Sequence, residues 1–319
     1  MDLSPLPPAL RADRDSLPQP VLAEIHALNG ARPLPFTLHL LGAWVVIAIA
    51  IGFAVHVDTL WASALAIIVV ATRHNVLGLL VHDQAHLLGY RGRWGDLLVN
   101  LFAAYPLLIL SVEGYARVHL AHHRDYFSDR DPDFLRKSGE DWSFPKSLAD
   151  TARLFLSDVS GINTLKLIRG KNKPVADLAF ARRNPTPSWV RPLFFIVTAT
   201  LLTYYGAWGI FLVYWILPIL TVTQLIVRWG AICEHKYNLP GASVLESTPL
   251  IVLSWWERFL LPNLNFALHP YHHLFPGVSF SNLPRVHEIY AREGLLHQQN
   301  IFQGYAAYFR FITGRRQAA

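Results

Sequence analysis

Cysteine is almost missing from this chain: Cys233 is the single thiol among 319 residues. One thiol excludes an internal disulfide and any CxxC zinc or iron–sulfur motif, so Cys233 reads as a packing residue. Charge is scarce as well. Asp, Glu, Lys and Arg make up 16% of the chain, against about 25% for a soluble domain, and hydrophobic residues reach 52%, which points to the membrane. Residues 1–20 hold five prolines and no apolar stretch behind a basic start, so they read as a flexible tail and not as a cleaved leader. The net charge of +6 is spread over segments that flank the apolar runs. That distribution argues against nucleic acid and for anionic headgroups or an acidic partner protein.

What the chain has in place of charge is long apolar runs. Phe36 to His56 is 21 residues without formal charge, enough to cross a hydrocarbon core of about 30 Å, and Thr59 to Val81 follows as a second span. Pro192 to Val227 is uncharged for 36 residues; as one helix it would measure about 54 Å and overshoot the bilayer. It must fold back, and Gly206-Ala207-Trp208-Gly209 supplies the turn. The expected spans are therefore about 36–56, 59–81, 192–206 and 209–228. Asp96 to Ser111, with Asn100 and Pro106 inside it, reads as interfacial or re-entrant. The connections at 57–59 and 206–209 lack Lys and Arg, whereas Arg11, Arg14, Arg32, the loop 91–191 and the C-terminal region supply them. The positive-inside rule then puts both termini in the cytoplasm. This divides the chain into a Pro-rich tail and interfacial segment (1–35), a membrane domain (36–297) and a cytoplasmic tail (298–319).

Histidine is the residue in excess. His82 and His86 stand in HDQAH, His119, His122 and His123 in HLAHH, His235 in CEHKY, and His269, His272 and His273 in HPYHH. A random chain of this composition would contain HxxHH roughly 0.03 times; it occurs twice. Residues i, i+3 and i+4 share a helix face, so each box can aim its rings at one point. Neutral imidazole suits iron, zinc or copper, and nine of them exceed what one ion can use, so the pattern calls for two metal ions. Each box follows an apolar segment on the cytoplasmic side. A lone histidine of this kind would read as a hydrogen-bonded core residue; the set does not.

In that order, HDQAH, HLAHH and HPYHH resemble the boxes of the membrane fatty-acid desaturase and hydroxylase superfamily. The stretches His269-Pro-Tyr-His-His-Leu-Phe-Pro-Gly-Val, Asn282-Leu-Pro-Arg-Val-His and His122-His-Arg-Asp-Tyr leading to Asp131-Pro-Asp look like its bacterial members, and the likeness runs from about residue 36 to 297. The resemblance implies an all-α membrane protein: four transmembrane helices in two hairpins under a cytoplasmic helical cap holding a dimetal site, in a bacterial inner membrane. It implies His82, His86, His119, His122, His123, His235, His269, His272 and His273 as ligands of two irons, and O2-dependent removal of two hydrogens from a fatty acyl chain. Ligands of this kind leave carboxylates to orient the far ring N–H groups, and Asp83, Glu113, Asp125 and Glu234 are candidates, with Asn265 able to act through a water. Asp129, Asp131 and Asp133 lack the glycine and glutamate of a calcium loop and read as a turn built on Pro132. No HPGG haem motif is present, so the resemblance implies a separate ferredoxin, flavoprotein or cytochrome as electron donor. A hydroxylase or carotenoid-type ketolase would share the diiron core. Two other classes stay open: a zinc-dependent membrane hydrolase, which would need three ligands, an open position and a general base, and a non-enzymatic metal or haem protein with paired histidines inside its spans.

Arg73, His74 and Asn75 fall inside the second span, where polar groups line a cavity or mark the interface; Arg228 stands in the same position near the end of the fourth. Trp189, Trp208, Trp229, Trp255 and Trp256 fit an interfacial belt. His26, His39, His56, His287 and His297 lie outside the boxes and receive no metal role.

Overall fold

The first two apolar runs become a helical hairpin, α2 (Pro33–Val57) and α3 (Leu60–Ala85), preceded by a short α1 (Gln19–His26). This is a computed structural model, and it describes residues 13–108, 110–169, 185–298 and 300–314. Pro33 sits at the start of α2, where its missing N–H costs nothing, and the helix stops at Asp58 in a left-handed conformation, φ 49°. Leu34, Leu38, Leu41, Val45, Ile49 and Phe53 form an exposed stripe along α2, while Phe36, Leu40, Ala43 and Ile47 turn inward. A stripe of large apolar side chains facing outward is what a helix bathed in lipid presents. At 26 residues α3 rises about 39 Å, more than the apolar core of a bilayer, so its last turn can lie beyond the core with His82 on it.

The segment after α3 is broken. Helix α4 (Gly95–Val99) widens into a π turn at Asn100–Ala104 and tightens into a 3-10 turn at Tyr105–Leu107, and the chain then bends by 89° into α5 (Val112–Arg124). Backbone carbonyls freed by such a break must find donors. Trp44 of α2 donates its indole N–H to the carbonyl of Phe102, Trp215 donates to that of Pro106, both at 2.8 Å, and the two indoles stack at 5.3 Å. Asn100 accepts from the backbone N–H of Val112 at 2.8 Å, fixing the bend from the inside.

Beyond α6 (Pro132–Lys137), α7 (Leu148–Val159) and α8 (Ile162–Arg169) come α9 (Val190–Tyr204) and the composite α10 (Trp208–Glu234), joined at Gly206, φ +62°. Pro218 and a π turn at Leu212–Ile216 kink α10 near Thr221. The kink is closed by side chains: Thr221 donates to the carbonyl of Leu217 (2.6 Å), Gln224 to that of Ile219 (2.7 Å) and Thr164 of α8 to that of Leu220 (2.8 Å). Helices α2, α3 and α10 are long and apolar enough to cross a membrane. At 15 residues α9 rises only about 22 Å, short of a full crossing by itself.

The remaining chain folds over the ends of α3, α5 and α10. It comprises α11 (Val244–Ser247), β1 (Leu250–Val252), α12 (Trp255–Leu260), α13 (His269–Leu274), α14 (Leu283–Arg292), β2 (Ile301–Gln303) and α15 (Gly304–Ile312), with β1 and β2 parallel and Leu250 opposite Ile301. Helices α11 and α12 each start with a reciprocal cap, Ser243 with Glu246 and Ser254 with Glu257.

Two segments read from sequence as tails are packed where they are described. Leu17, Val21, Leu22 and Ile25 are buried in the main core, and Asp13 accepts from the backbone N–H of Leu245. At the other end Tyr308 and Ile312 are almost fully buried. The short proline-broken N-terminal pattern hid three apolar residues on one face of α1, and β2 and α15 are too short to announce themselves. Residues 1–12 and 315–319 fall outside the described part.

Candidate metal centre

Nine imidazoles converge where α3, α5, α10 and α13 end. The end of α3 brings His82 and its capping residue His86, α5 brings His119, His122 and His123 on its buried face, His235 caps α10, and α13 carries His269, His272 and His273. All nine are buried. The turn that follows HDQAH is fixed by Gln84, which donates to Asp96 (2.8 Å) and to the carbonyl of Tyr90 (3.0 Å) and accepts from the Tyr90 N–H (2.9 Å).

The rings divide into two nests. In nest A, His119 Nε2 has three neighbours, the Nε2 atoms of His86 at 2.9 Å, His123 at 3.1 Å and His272 at 3.4 Å, and His123 and His272 are 3.0 Å apart. His82 lies against this group, its ring 4.1 Å from that of His119 and 4.5 Å from that of His272. In nest B, His235 Nε2 is 3.3 Å from His122, 3.1 Å from His269 and 3.2 Å from His273, and the last two are 3.1 Å apart. Each triple box is therefore split. His119 and His123 go to nest A and His122 to nest B; His269 and His273 go to nest B and His272 to nest A. In both boxes the i and i+4 rings stay together and the i+3 ring crosses over.

This donor set fits a cation. A neutral imidazole has one N–H, which can serve one acceptor, yet His119 Nε2 faces three other ring nitrogens. Protonating all of them is prohibitive: burial, then the neighbouring imidazoles, hold His272 and His273 well below the usual histidine range, and burial, then the neighbouring His122 ring, does so for His269. Two nitrogens bound to one ion at about 2.1 Å sit about 3.0–3.4 Å apart, and that is the spacing seen in both nests. Both nitrogens of His82 and the Nδ1 atoms of His123, His269, His272 and His273 are buried without a hydrogen-bond partner among the described residues.

Asp131 sets one carboxylate on a box histidine. Its Oδ2 accepts from His122 Nδ1 at 2.8 Å and from the backbone N–H of Phe127 at 2.8 Å, while Oδ1 caps α6 by accepting from Asp133 N and Phe134 N. The acceptor leaves His122 with its proton on Nδ1 and its Nε2 lone pair aimed into nest B. At His235 the hydroxyls of Tyr126 and Thr248 approach Nδ1 at 3.5 Å and bond each other at 2.8 Å.

The residues proposed from sequence for that orienting role do other things. Asp83 accepts from Ser279 Oγ (3.2 Å) and Phe280 N (3.1 Å), and Asn265 donates to the Phe280 carbonyl (3.2 Å). Asp83 latches box one to the loop after box three, and Asn265 ties the segment before box three to that same loop. Glu113 accepts from Asn100 and Thr186, Asp125 pairs with Arg124 and Arg130, and Glu234 lies among the charges of Lys137 and Asp133. From sequence alone Asp131 reads as a turn residue. Its sequence signal, Asp before Pro at a helix start, marks an N-cap but not the imidazole that the other oxygen meets. His74 hydrogen-bonds Thr223 inside the bundle, His287 bonds Tyr271, and His26, His39 and His56 join neither nest; the His297 side chain is outside the described residues.

The sequence model of the fatty acid desaturase family matches residues 59–305, a range that takes in all nine histidines. The chain belongs to the fatty acid desaturase family. Among individual relatives, dihydrorhizobitoxine desaturase of Bradyrhizobium elkanii is 27% identical over 247 residues, covering 72% of this chain and 68% of that protein. For a desaturase family member, buried histidine clusters and apolar helices belong together: the family supplies desaturase-type oxidative chemistry, and the helices supply a membrane setting.

Proposed function

We propose that this chain is an integral membrane desaturase that uses two histidine-held irons and O2 to remove two hydrogens from neighbouring carbons of an acyl chain. The observation that carries the reading is the split of nine buried imidazoles into two adjacent nests with metal-ligand spacing. His82, His86, His119, His123 and His272 would hold one iron, and His122, His235, His269 and His273 the other. Bound iron, with electrons from a separate ferredoxin, flavoprotein or cytochrome, would supply the power to activate O2 against an unactivated C–H bond.

The protein's own part is positional. Burial keeps His269, His272 and His273 neutral and ready to ligate, Asp131 holds His122 in one tautomer, and the Asp83 latch ties the first box to the loop after the third, which Asn265 also holds. Phe266 packs edge-on against His82 at 4.4 Å, placing an apolar wall beside nest A where a hydrocarbon is tolerated and water is not. Four spans under a cytoplasmic cap, in a bacterial inner membrane with both termini inside, complete the reading. Here α9 would span together with part of the segment before it.

Desaturation is favoured over hydroxylation by the similarity to a protein named a desaturase. A zinc hydrolase needs three ligands and a base, and nine convergent imidazoles overshoot that requirement. The test is a lipid profile by mass spectrometry of cells expressing the wild type or His272→Ala, with metal analysis of both purified proteins. A wild-type-specific loss of about two mass units from an acyl species, with about two irons per chain, is expected. A gain of about sixteen would mean hydroxylation, and zinc without oxidised lipid would refute the proposal.

A further inference from the structure

Nest B is connected to the surface by aromatic rings. From His235 the next ring outward is Tyr237, with centroids 5.5 Å apart, and the next is Trp142, 5.7 Å from Tyr237. Tyr237 is buried and Trp142 is partly exposed. The pair is held in place by charge. The Tyr237 hydroxyl donates to Asp133 Oδ2 (3.1 Å) and accepts from Lys137 Nζ (2.8 Å), and Arg228, ion-paired to Asp158 at 2.5 Å, lies over the Trp142 ring at 4.4 Å. Cations over an indole face are attracted by its quadrupole, which fixes the ring plane.

The strap that carries Trp142 is pinned to the cap: Asn238 donates to the Phe144 carbonyl at 3.0 Å, and the Lys146 N–H donates to the Ile312 carbonyl at 2.8 Å. Lys146 and Lys236 lie over the rings of Phe144 and Phe311 and remain partly exposed, and Arg136 and Arg310 are exposed. Exposed Glu140 and Asp141 stand in the same turn as Trp142; Asp133 is committed to Arg136 and Lys137. With Arg136 paired to Asp133, the cations Lys146, Lys236 and Arg310 stand against the two acids Glu140 and Asp141 on this face.

We propose that Tyr237 and Trp142 are the electron-entry route to nest B, and that the basic face around Trp142 docks an acidic one-electron carrier protein. The inference rests on the iron reading above. Each docking oxidises the carrier by one electron and reduces the iron pair by one. Two dockings supply the two electrons which, with two protons and the two hydrogens taken from the substrate, convert O2 to two waters. Rings in near contact shorten the gap an electron must cross through saturated side chains, and a positive rim steers an acidic partner at a rate that salt reduces.

The experiment uses the full-length, iron-loaded protein, rapidly mixed with a reduced plant-type [2Fe–2S] ferredoxin or with dithionite, while the metal absorption is followed. With ferredoxin, Trp142→Leu should slow reduction severalfold and Trp142→Phe, which keeps a ring, should restore most of the rate. Lys146→Glu with Lys236→Glu should weaken ferredoxin binding about tenfold and flatten its salt dependence. Dithionite, small enough to need no docking face, should reduce all variants alike, and iron content and melting temperature should match the wild type. Wild-type ferredoxin kinetics in Trp142→Leu would overturn the route, and unchanged binding in the Lys variant would overturn the docking face. A wild type that binds no reducible metal would overturn the iron reading itself and is told apart by the dithionite arm.

Discussion

Nests A and B hold the same kind of ligand by different means. In nest B the outer nitrogens of two rings meet polar groups: His122 has the Asp131 carboxylate, and His235 has the hydroxyls of Tyr126 and Thr248. In nest A, His82, His123 and His272 have no outer hydrogen-bond partner among the described residues, and His82 is fixed by packing against Phe266 and the neighbouring rings. Two rings of nest B, His122 and His235, are preorganised by hydrogen bonds that exist without metal, while its His269 and His273 share with His82, His123 and His272 of nest A an Nδ1 unpartnered among the described residues and rely on packing and on the ion they would bind. An unpaired buried polar atom costs about 1–3 kcal/mol, and an ion would engage one of the two unpartnered nitrogens of His82, so nest A should gain most from loading.

The largest effect should come from breaking one nest at a time. His272→Ala should abolish turnover and lower bound metal at nest A, and His122→Ala should do the same at nest B, with both proteins still in the membrane; metal analysis and product assay check this, and full activity in either variant would sink the assignment. Next comes Asp131→Asn. It can still cap α6 through Oδ1 but no longer offers His122 a charged acceptor, and metal affinity should fall roughly 10–100-fold by competition with a chelator. An affinity equal to wild type would mean that Asp131 serves only the turn.

Asp83→Asn gives the contrast. It loosens a latch and touches no imidazole, so it should lower the melting temperature by an amount worth about 1–3 kcal/mol while iron per chain is unchanged. Acid should act on both nests. The folded protein keeps His269, His272 and His273 neutral by burial, with pKa values well below 6.5, whereas the unfolded chain binds protons at about 6.5. As pH falls below about 6.5 the unfolded state therefore takes up more protons than the folded one, and stability declines. Thermal melts of metal-free protein between about pH 8 and 5 should show a progressive loss, and a flat profile would contradict the neutral, buried assignment. The smallest effect is expected for Tyr126→Phe, because contacts of 3.5 Å are weak hydrogen bonds; its chelator midpoint should stay close to wild type.

How much was readable beforehand depends on range along the chain. The hairpin turn near Gly206, the end of α3 at the first box and the broken segment around Pro106 are local properties of composition and turn chemistry, and the helices fall close to the positions read from them. The burial of Leu17, Val21 and Ile25 was not readable, because a short helix becomes stable only through the surface it covers. From sequence Asp131 reads only as a turn residue, since it lies nine positions beyond His122, across the end of α5 and a loop, and no periodicity links them.

The sequence by itself determined that nine histidines lie beside long uncharged helices, and that a helical period aims each box one way; both are fixed by neighbours within a few residues. Only the tertiary structure decided which ring joins which nest, because the i, i+3 and i+4 positions share one face and are separated only by the angle at which α5 and α13 meet α3 and α10. It also decided which carboxylate reaches an imidazole, since that depends on how a loop closes in space and not on spacing along the chain.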